Sequence, residues 1–147
     1  MIAAASKSDD RWSGRVALSR RVGSDGAYAL DSDLGFRGTR FRVRVLPGFA
    51  TDGVSIPRAL RWWADPYSGR HVAAAVIHDG LYATQFTTRA EADQLFLEAL
   101  RACGVRRSQA RLMWLAVRIF GGRAWGSKTL QTKKAARECV LVNRRTI

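Results

Sequence analysis

Cysteine is scarce in this sequence, since the 147 residues contain only Cys103 and Cys139. The two thiols form no Cys-x-x-Cys pair, which excludes the usual zinc and redox signatures of cysteine. A chain of this length buries roughly two thirds of the surface that it exposes when unfolded, so it can hold a core without disulfides. The low cysteine content therefore fits a reducing compartment.

Long hydrophobic runs are also absent. No stretch approaches the ~18 apolar residues that a membrane span requires, and residues 1–10 lack the basic region and apolar run of a secretory signal. We therefore expect a protein with no transmembrane segment that stays in the cytoplasm. The length corresponds to one domain, 1–147, and the composition of 47% hydrophobic and 25% charged residues is that of a globular fold.

Acidic residues are few relative to basic ones. Twelve Asp and Glu against 25 Lys and Arg give a formal net charge of +13. Such an excess raises the local concentration of nucleic acid, anionic lipid headgroups or acidic proteins. An alternative is that the cations form only a solvated surface, and the charge alone does not choose among these partners.

Short strands separated by turns are predicted over about residues 12–46. In the clearest segment, Phe41, Val43 and Val45 alternate with Arg42 and Arg44, the period-two pattern of a strand with one buried face. Two further segments, 12–20 and 27–30, precede a glycine-bearing loop after Asp31. Together they predict a small N-terminal antiparallel β-meander.

Helical periodicity begins after this part of the chain. Thr88 and Glu91 form a capping-box pattern at a helix start, and Gly104 supplies a left-handed stop. The apolar helix that begins at Ser108 is expected to be central. The predicted helices are 56–65, 69–84, 88–103, 108–121 and 127–138, so the helical part spans about 55–138, and 139–147 forms a tail or short strand. The fold class is thus α+β, with a small sheet covered by four to five helices.

The segment 48–57 joins the last strand of the meander to the first helix. Asp52 precedes a glycine, and Ser55 stands just before Ile-Pro, where free amides of a helix N-terminus favour an anion. The structural alternative is that Asp52 forms a turn and Ser55 caps a helix.

A second segment, 69–82, carries both histidines. On a helix, His71, His78 and Tyr82 lie along one stripe, while Asp79 points about 100° away. The apolar run before His78 places it beside the core, where an ionisable group needs a partner. The spacing of the histidines does not fit a helical His-x-x-x-His zinc pair.

Asp93 on the next helix is the candidate partner. An antiparallel helical hairpin with its turn near 84–87 brings Asp93 opposite His78 or Asp79, where a carboxylate can fix the imidazole tautomer for proton transfer. Asp79 and Asp52 can together offer oxygen ligands to a hard cation such as calcium. The alternatives are a structural His–Asp element and an exposed Arg89–Asp93 ion pair.

Several short motifs follow one another over roughly residues 40–125. They are Thr51-Asp-Gly-Val-Ser-Ile-Pro57, His78-Asp-Gly-Leu-Tyr82, Arg89-Ala-Glu-Ala-Asp93-Gln-Leu-Phe96, Gly104-Val105 and Ala116-Val-Arg118 with Gly121. In this order they resemble a family of phage and prophage proteins known only as a domain of unknown function. The resemblance implies a phage or prophage origin, synthesis in a bacterial host, other phage structural proteins as partners and a place in the virion or tail region.

The pattern His78-Asp79-x-x-Tyr82, followed by a helix bearing Asp93, is similar to the active-site helix pair of phospholipases A2. That resemblance implies that His78 is the general base, that Asp79 binds Ca²⁺, and that Tyr82 and Asp93 support the histidine. The flanking cysteines of that family are absent, and only the segment 48–55 stands where its calcium loop would be.

Two functions from different classes follow. One is a metal-assisted hydrolase acting on a phospholipid or another ester or amide of the host envelope. The other is a non-catalytic structural or adaptor protein of a phage assembly, whose basic surface binds acidic partners or DNA. The five tryptophans do not by themselves indicate nucleic-acid binding, because in a small domain they are more often packing residues.

Overall fold

The α+β architecture predicted from the sequence is confirmed. A computed structural model describes residues 9–20, 28–51 and 71–146, and within these ranges it contains two small antiparallel sheets and five helices. The predicted helix 56–65 lies outside the described residues.

The strands form one four-stranded and one three-stranded sheet. The larger sheet has the order β1-β4-β5-β7 and the smaller the order β2-β3-β6, with every neighbouring pair antiparallel. The strands are β1 (Trp12–Gly14), β2 (Leu18–Arg20), β3 (Tyr28–Leu30), β4 (Leu34–Arg37), β5 (Phe41–Val45), β6 (Ala50–Thr51) and β7 (Val140–Arg144).

Strand β5 has the alternation that its sequence predicts. Phe41, Val43 and Val45 are buried, while Arg42 and Arg44 are exposed. β5 lies between β4 and β7, so the short C-terminal segment does close the sheet as a strand.

Two details of the predicted meander differ in the structure. The segment 12–20 is two strands in different sheets, because Gly14 adopts a positive φ of +80° and a Cβ there would lie 2.0 Å from the carbonyl oxygen of Asp33. The loop predicted after Asp31 contains β4. Gly35 obscures the alternation of β4, and it is needed because a Cβ at this position would lie 2.2 Å from Ser13 Oγ.

Four helices correspond to the predicted 69–84, 88–103, 108–121 and 127–138, with ends shifted by up to three residues, and a further short helix, Gly122–Gly126, was not predicted. The capping box is confirmed, since Thr88 Oγ1 accepts from the Glu91 amide at 3.2 Å and Glu91 Oε2 accepts from the Thr88 amide at 2.9 Å. Gly104 has the expected positive φ, +79°. The helices are α1 (Val72–Thr84), α2 (Arg89–Ala102), α3 (Arg107–Phe120), α4 (Gly122–Gly126) and α5 (Leu130–Arg137).

Helix α1, not α3, is the central helix. It packs against the larger sheet on one side and α2 on another, and a Cβ at Gly80 would lie 3.4 Å from the side chains of Val45 and Val140. The expectation that the helix from Ser108 is central is wrong, because α3 packs on α2 and leaves Leu115, Ile119 and Phe120 exposed. Within the described ranges, no helix has both the length and the apolar character needed to span a bilayer.

Candidate functional site

The α1–α2 hairpin brings three of the predicted site residues together. His78 and Tyr82 are one turn apart on α1, the connection 85–88 reverses the chain, and Asp93 lies in the second turn of α2. Gln85 ends α1 in the left-handed conformation, with φ +51° and its amide donating to the Leu81 carbonyl. The short reversal places Asp93 opposite the His78 face of α1.

Asp93 is the centre of the site and has no solvent exposure. Its Oδ1 lies 2.8 Å from His78 Nε2 and accepts a hydrogen bond from the Tyr82 hydroxyl at 2.7 Å. Its Oδ2 accepts from Arg118 Nη1 at 2.7 Å. A buried carboxylate is costly without such partners, so these three contacts are what allow an ionised Asp93 in the core.

Two arginines tie this centre to α3. Arg118 comes from the last turn of α3, and its side chain is one-third exposed, so the ion pair with Asp93 reaches the surface. Arg89 Nη1 lies 3.9 Å from Asp93 Oδ2 and also donates to the carbonyls of Val117 and Arg118, at 3.3 and 3.2 Å. The alternative of an exposed Arg89–Asp93 ion pair is wrong, because Asp93 is fully buried and the Arg89 side chain is only 27% exposed. The pair belongs to a network that joins α2 to the C-terminal end of α3.

Aromatic rings enclose the imidazole of His78, which is 7% exposed. Its ring centroid lies 4.2 Å from that of Tyr82 and 4.6 Å from that of Phe96. Trp125 of α4 meets the Tyr82 ring edge-on at 5.1 Å. These contacts fix the orientation of the imidazole and keep it buried.

The environment sets the charge of each group. Burial lowers the pKa of His78, although the hydrogen bond to Asp93 acts in the opposite direction. Burial alone would raise the pKa of Asp93, but its hydrogen bonds with His78, Tyr82 and Arg118 lower it. Burial also raises the pKa of the Tyr82 hydroxyl. At neutral pH the site thus contains a neutral imidazole, a carboxylate and a neutral phenol.

The tautomer of His78 follows from these charges. An ionised carboxylate can only accept hydrogen bonds, so the Nε2 that contacts Asp93 carries the ring proton. The basic lone pair of the neutral imidazole is then on Nδ1. A histidine in this state can take up a proton at Nδ1, and the carboxylate stabilises the resulting imidazolium.

The other predicted site residues that the structure describes are Asp79 and His71, both on or next to α1. Asp79 follows His78 on α1 and is half-buried, and His71 is buried at the N-cap position, about two turns from His78. Asp52 and Ser55 lie outside the described residues. Within the described ranges no group of three His, Cys, Asp or Glu residues could hold a metal ion. The calcium site predicted on Asp79 and Asp52 stays a prediction, because Asp52 lies outside the described residues.

Arg118 and the aromatic residues Phe96 and Trp125 had no site role in the sequence-based prediction. Arg118 lies 25 residues beyond Asp93, and periodicity within one helix cannot show which distant side chain reaches its buried face. On the helix Arg118 shares a stripe with the exposed Arg107 and Arg111, so helical position gave no signal of its role. The one signal was its place in the Ala116-Val-Arg118 motif.

Comparisons with known proteins place these residues in a family. A family model described as "Protein of unknown function (DUF1353)" matches residues 28–117, a range that includes His78, Tyr82 and Asp93. The range ends one residue before Arg118.

Two curated relatives come from Sinorhizobium fredii (strain NBRC 101917 / NGR234). "Uncharacterized protein y4iH" is 35% identical over 92 residues, which cover 61% of this chain and 38% of the relative. "Uncharacterized protein y4jT" is 33% identical over 112 residues, which cover 72% of this chain and 31% of the relative. The chain therefore spans about a third of the length of the curated relatives it matches. No solved structure matches.

Proposed function

The chain belongs to the DUF1353 family, and from that premise we propose that it is a phage- or prophage-encoded accessory protein in which His78 is the general base of a hydrolytic site. The bond hydrolysed is an ester or amide, and phospholipid is the first substrate class to test. The phage origin and the substrate class rest on the motif resemblances of the sequence.

One observation carries the catalytic proposal: Asp93 holds Nε2 of His78 at 2.8 Å and is itself held by Tyr82 and Arg118. This arrangement supports an imidazole that is oriented, neutral and basic at Nδ1. A general base needs these three properties, because it must accept a proton at the moment that water attacks.

The step would proceed as follows. Nδ1 takes a proton from water, the water oxygen forms a bond to the carbonyl carbon, and the carbonyl electron pair moves to oxygen. When the tetrahedral intermediate collapses, the bond to the leaving oxygen or nitrogen breaks and that atom receives the proton from Nδ1. Throughout, Nε2 keeps its proton and Asp93 stabilises the imidazolium, while buried Tyr82 holds the carboxylate in place.

The test is fatty-acid release from mixed phospholipid vesicles by the full chain, with added calcium and with a chelator. Calcium is one arm because the resemblance to phospholipase A2 assigns Asp79 to it, and the sequence offers Asp52 as a second oxygen ligand. His78→Asn should reduce release by about 100-fold or more, the usual contribution of a general base. His71→Asn is the matched control, since it removes the other buried histidine, and it should keep the activity. Absence of fatty-acid release by the wild-type chain under every cation condition would contradict the proposal.

A second candidate is the non-catalytic structural or adaptor protein of a phage assembly. It is favoured by the complete burial of Asp93 and by the way its network joins α1, α2 and α3. Under this function the polar network holds the three helices together, and the basic surface contacts acidic partners or packaged DNA. His78→Asn would then lower stability with no turnover to lose, and DNA binding would weaken steeply with salt.

A further inference from the structure

Helix α3 presents an apolar ridge to solvent. Leu112, Leu115 and Ile119 follow one another at three- and four-residue spacing, and their exposed fractions are 40%, 45% and 62%. Phe120, at the end of the helix, is also 62% exposed. At about 100° per residue the first three share one stripe of the helix. We call these four residues the α3 ridge.

Leu112, Leu115 and Ile119 extend the apolar circumference of α3 beyond the side that packs in the fold, and Phe120 stands at the end of the helix in nearly the same direction as Met113. The packed side consists of Ala110, Met113 and Ala116, which are buried where α3 meets α2. An ordinary surface helix has polar residues opposite its packed side. The apolar surface of this helix instead continues from the packed side onto the exposed side, and an exposed apolar patch of this kind is typical of an interaction site.

Positive charge flanks one side of the ridge. Residues 99–137 contain ten Lys and Arg and no Asp or Glu. Arg107 and Arg111 are exposed on α3 itself, and the helical geometry puts Arg111 about 40° from Leu115 around the axis. The remaining arginine of α3, Arg118, forms the ion pair with Asp93. The face therefore combines aliphatic side chains with cations that have no acidic neighbours in the same segment.

We propose that the α3 ridge docks on an anionic lipid surface. The aliphatic and aromatic side chains would enter the boundary between headgroups and acyl chains, while the neighbouring arginines contact the headgroups. Interfacial helices bind by this combination of buried apolar area and attraction to anionic lipid. The proposal goes beyond the proposed hydrolysis and does not depend on it.

The charge favours lipid over the other two occupants. A second copy of the chain, docked through the same face about a twofold axis, would bring two clusters of arginine together without counter-charge. A nucleic acid would satisfy the arginines and could stack a base on Phe120, but it would leave Leu112, Leu115 and Ile119 uncovered, since bases stack mainly on aromatic and guanidinium planes. Both occupants are outcomes of the test below.

The test is flotation of the full chain with vesicles of phosphatidylcholine alone or of phosphatidylcholine with phosphatidylglycerol. The wild type should float with the anionic vesicles and much less with the neutral ones. Replacing both Leu115 and Ile119 by Ser should weaken binding by roughly tenfold or more, because two partly exposed aliphatic groups no longer leave water. The matched control is Leu141→Ser, since Leu141 is 44% exposed on β7 and lies outside the cation-rich segment; it should bind as the wild type does.

A second double variant tests the contribution of the positive charge. Replacing Arg107 and Arg111 by Gln should reduce flotation with anionic vesicles and make the remaining binding less sensitive to salt. Because all four substituted positions are exposed, circular dichroism and thermal unfolding should be unchanged. His78→Asn should float like the wild type, so loss of hydrolysis and loss of docking are distinguishable.

Three results would overturn the proposal. The first is equal flotation of the wild type and the Leu115/Ile119 double variant. The second is a wild-type dimer in sedimentation that the double variant abolishes, without vesicle binding, which would assign the ridge to a second copy. The third is binding of duplex DNA by the wild type and the double variant alike, with no flotation. This result would show that the chain binds through its positive charge and not through the ridge.

Discussion

His78 and Asp93 are 15 positions apart in the chain, and Nε2 of the one lies 2.8 Å from Oδ1 of the other. The same carboxylate accepts from Tyr82 and Arg118, so donors from α1 and α3 converge on one side chain of α2. Because Asp93 is wholly buried, each of these donors offsets part of its desolvation, and the removal of any of them has a measurable consequence.

Asp93→Asn should destabilise the fold strongly. The substitution removes the charge that pairs with Arg118 and replaces one of the two acceptor oxygens by an amide donor, so three donors are left with one acceptor oxygen. Breaking a buried ion pair costs about 3–5 kcal/mol. The lower end is expected, because the one-third exposed Arg118 side chain can turn to water. Urea unfolding of the variant against the wild type gives the difference in free energy.

Asp10→Asn is the control for that measurement. It also breaks an Asp–Arg pair, with Arg37 at 3.2 Å, but the Asp10 side chain is 86% exposed. Exposed pairs contribute about 0–1 kcal/mol. Equal losses of stability in the two variants would contradict the central role of the buried carboxylate.

Stability should fall as the pH is lowered. The pKa of His78 is lowered in the fold from the ordinary 6.5, and that of Asp93 from 3.8. The unfolded chain therefore takes up protons at a higher pH than the folded chain does, so stability is full above both ordinary values and is lost below them. The first decrease should begin near pH 6.5 and the second near pH 3.8.

His78→Asn separates the two stages. It should reduce the first decrease and leave the second, as measured by urea unfolding across the pH range. Unfolding curves of the variant and the wild type that depend equally on pH between about pH 7 and pH 5 would show that His78 is not the group responsible.

The kcat/KM of hydrolysis should decrease on acidification only below the ordinary pKa of histidine. The proposed base must be neutral, and burial favours its neutral form, so kcat/KM should reach its plateau at a lower pH than a solvated histidine of pKa 6.5 would allow. The pH dependence of kcat/KM reports this decrease directly. A decrease that begins above that pKa would assign the base to another group.

Local patterns carried much of the prediction. The capping box at Thr88 and the alternation around Val43 each depend on residues within a few positions, so the sequence alone was sufficient for α2 and β5. The pairing of His78 with Asp93 was also predictable, because two helices joined by a short turn must lie antiparallel and their positions can be counted from the turn.

Long-range packing explains what the sequence could not show. The apolar pattern of α3 is the same whether the helix is enclosed or half-exposed, so the pattern could not distinguish a central helix from one with an exposed ridge at Ile119. Likewise, the division of 12–20 into two strands depends on the contact between Gly14 and Asp33, which lies in a different part of the chain.

Gly121 and Gly122 should respond in opposite ways to alanine. A Cβ at Gly121 would lie 2.3 Å from the Val117 carbonyl oxygen and 2.6 Å from the Tyr82 hydroxyl, the same hydroxyl that donates to Asp93. A Cβ at Gly122 would meet nothing within 4 Å.

Gly121→Ala therefore forces either the backbone of α3 or the Tyr82 ring to shift, and overpacking of this kind costs about 1–3 kcal/mol. Gly122→Ala, at the first position of α4, should be neutral or stabilising by up to about 1 kcal/mol, since alanine loses less backbone freedom on folding. Chemical unfolding of both variants gives the comparison. A Gly121→Ala variant at least as stable as Gly122→Ala would mean that α3 and Tyr82 are not held against each other, and that the hydroxyl is not fixed on Asp93 by close packing.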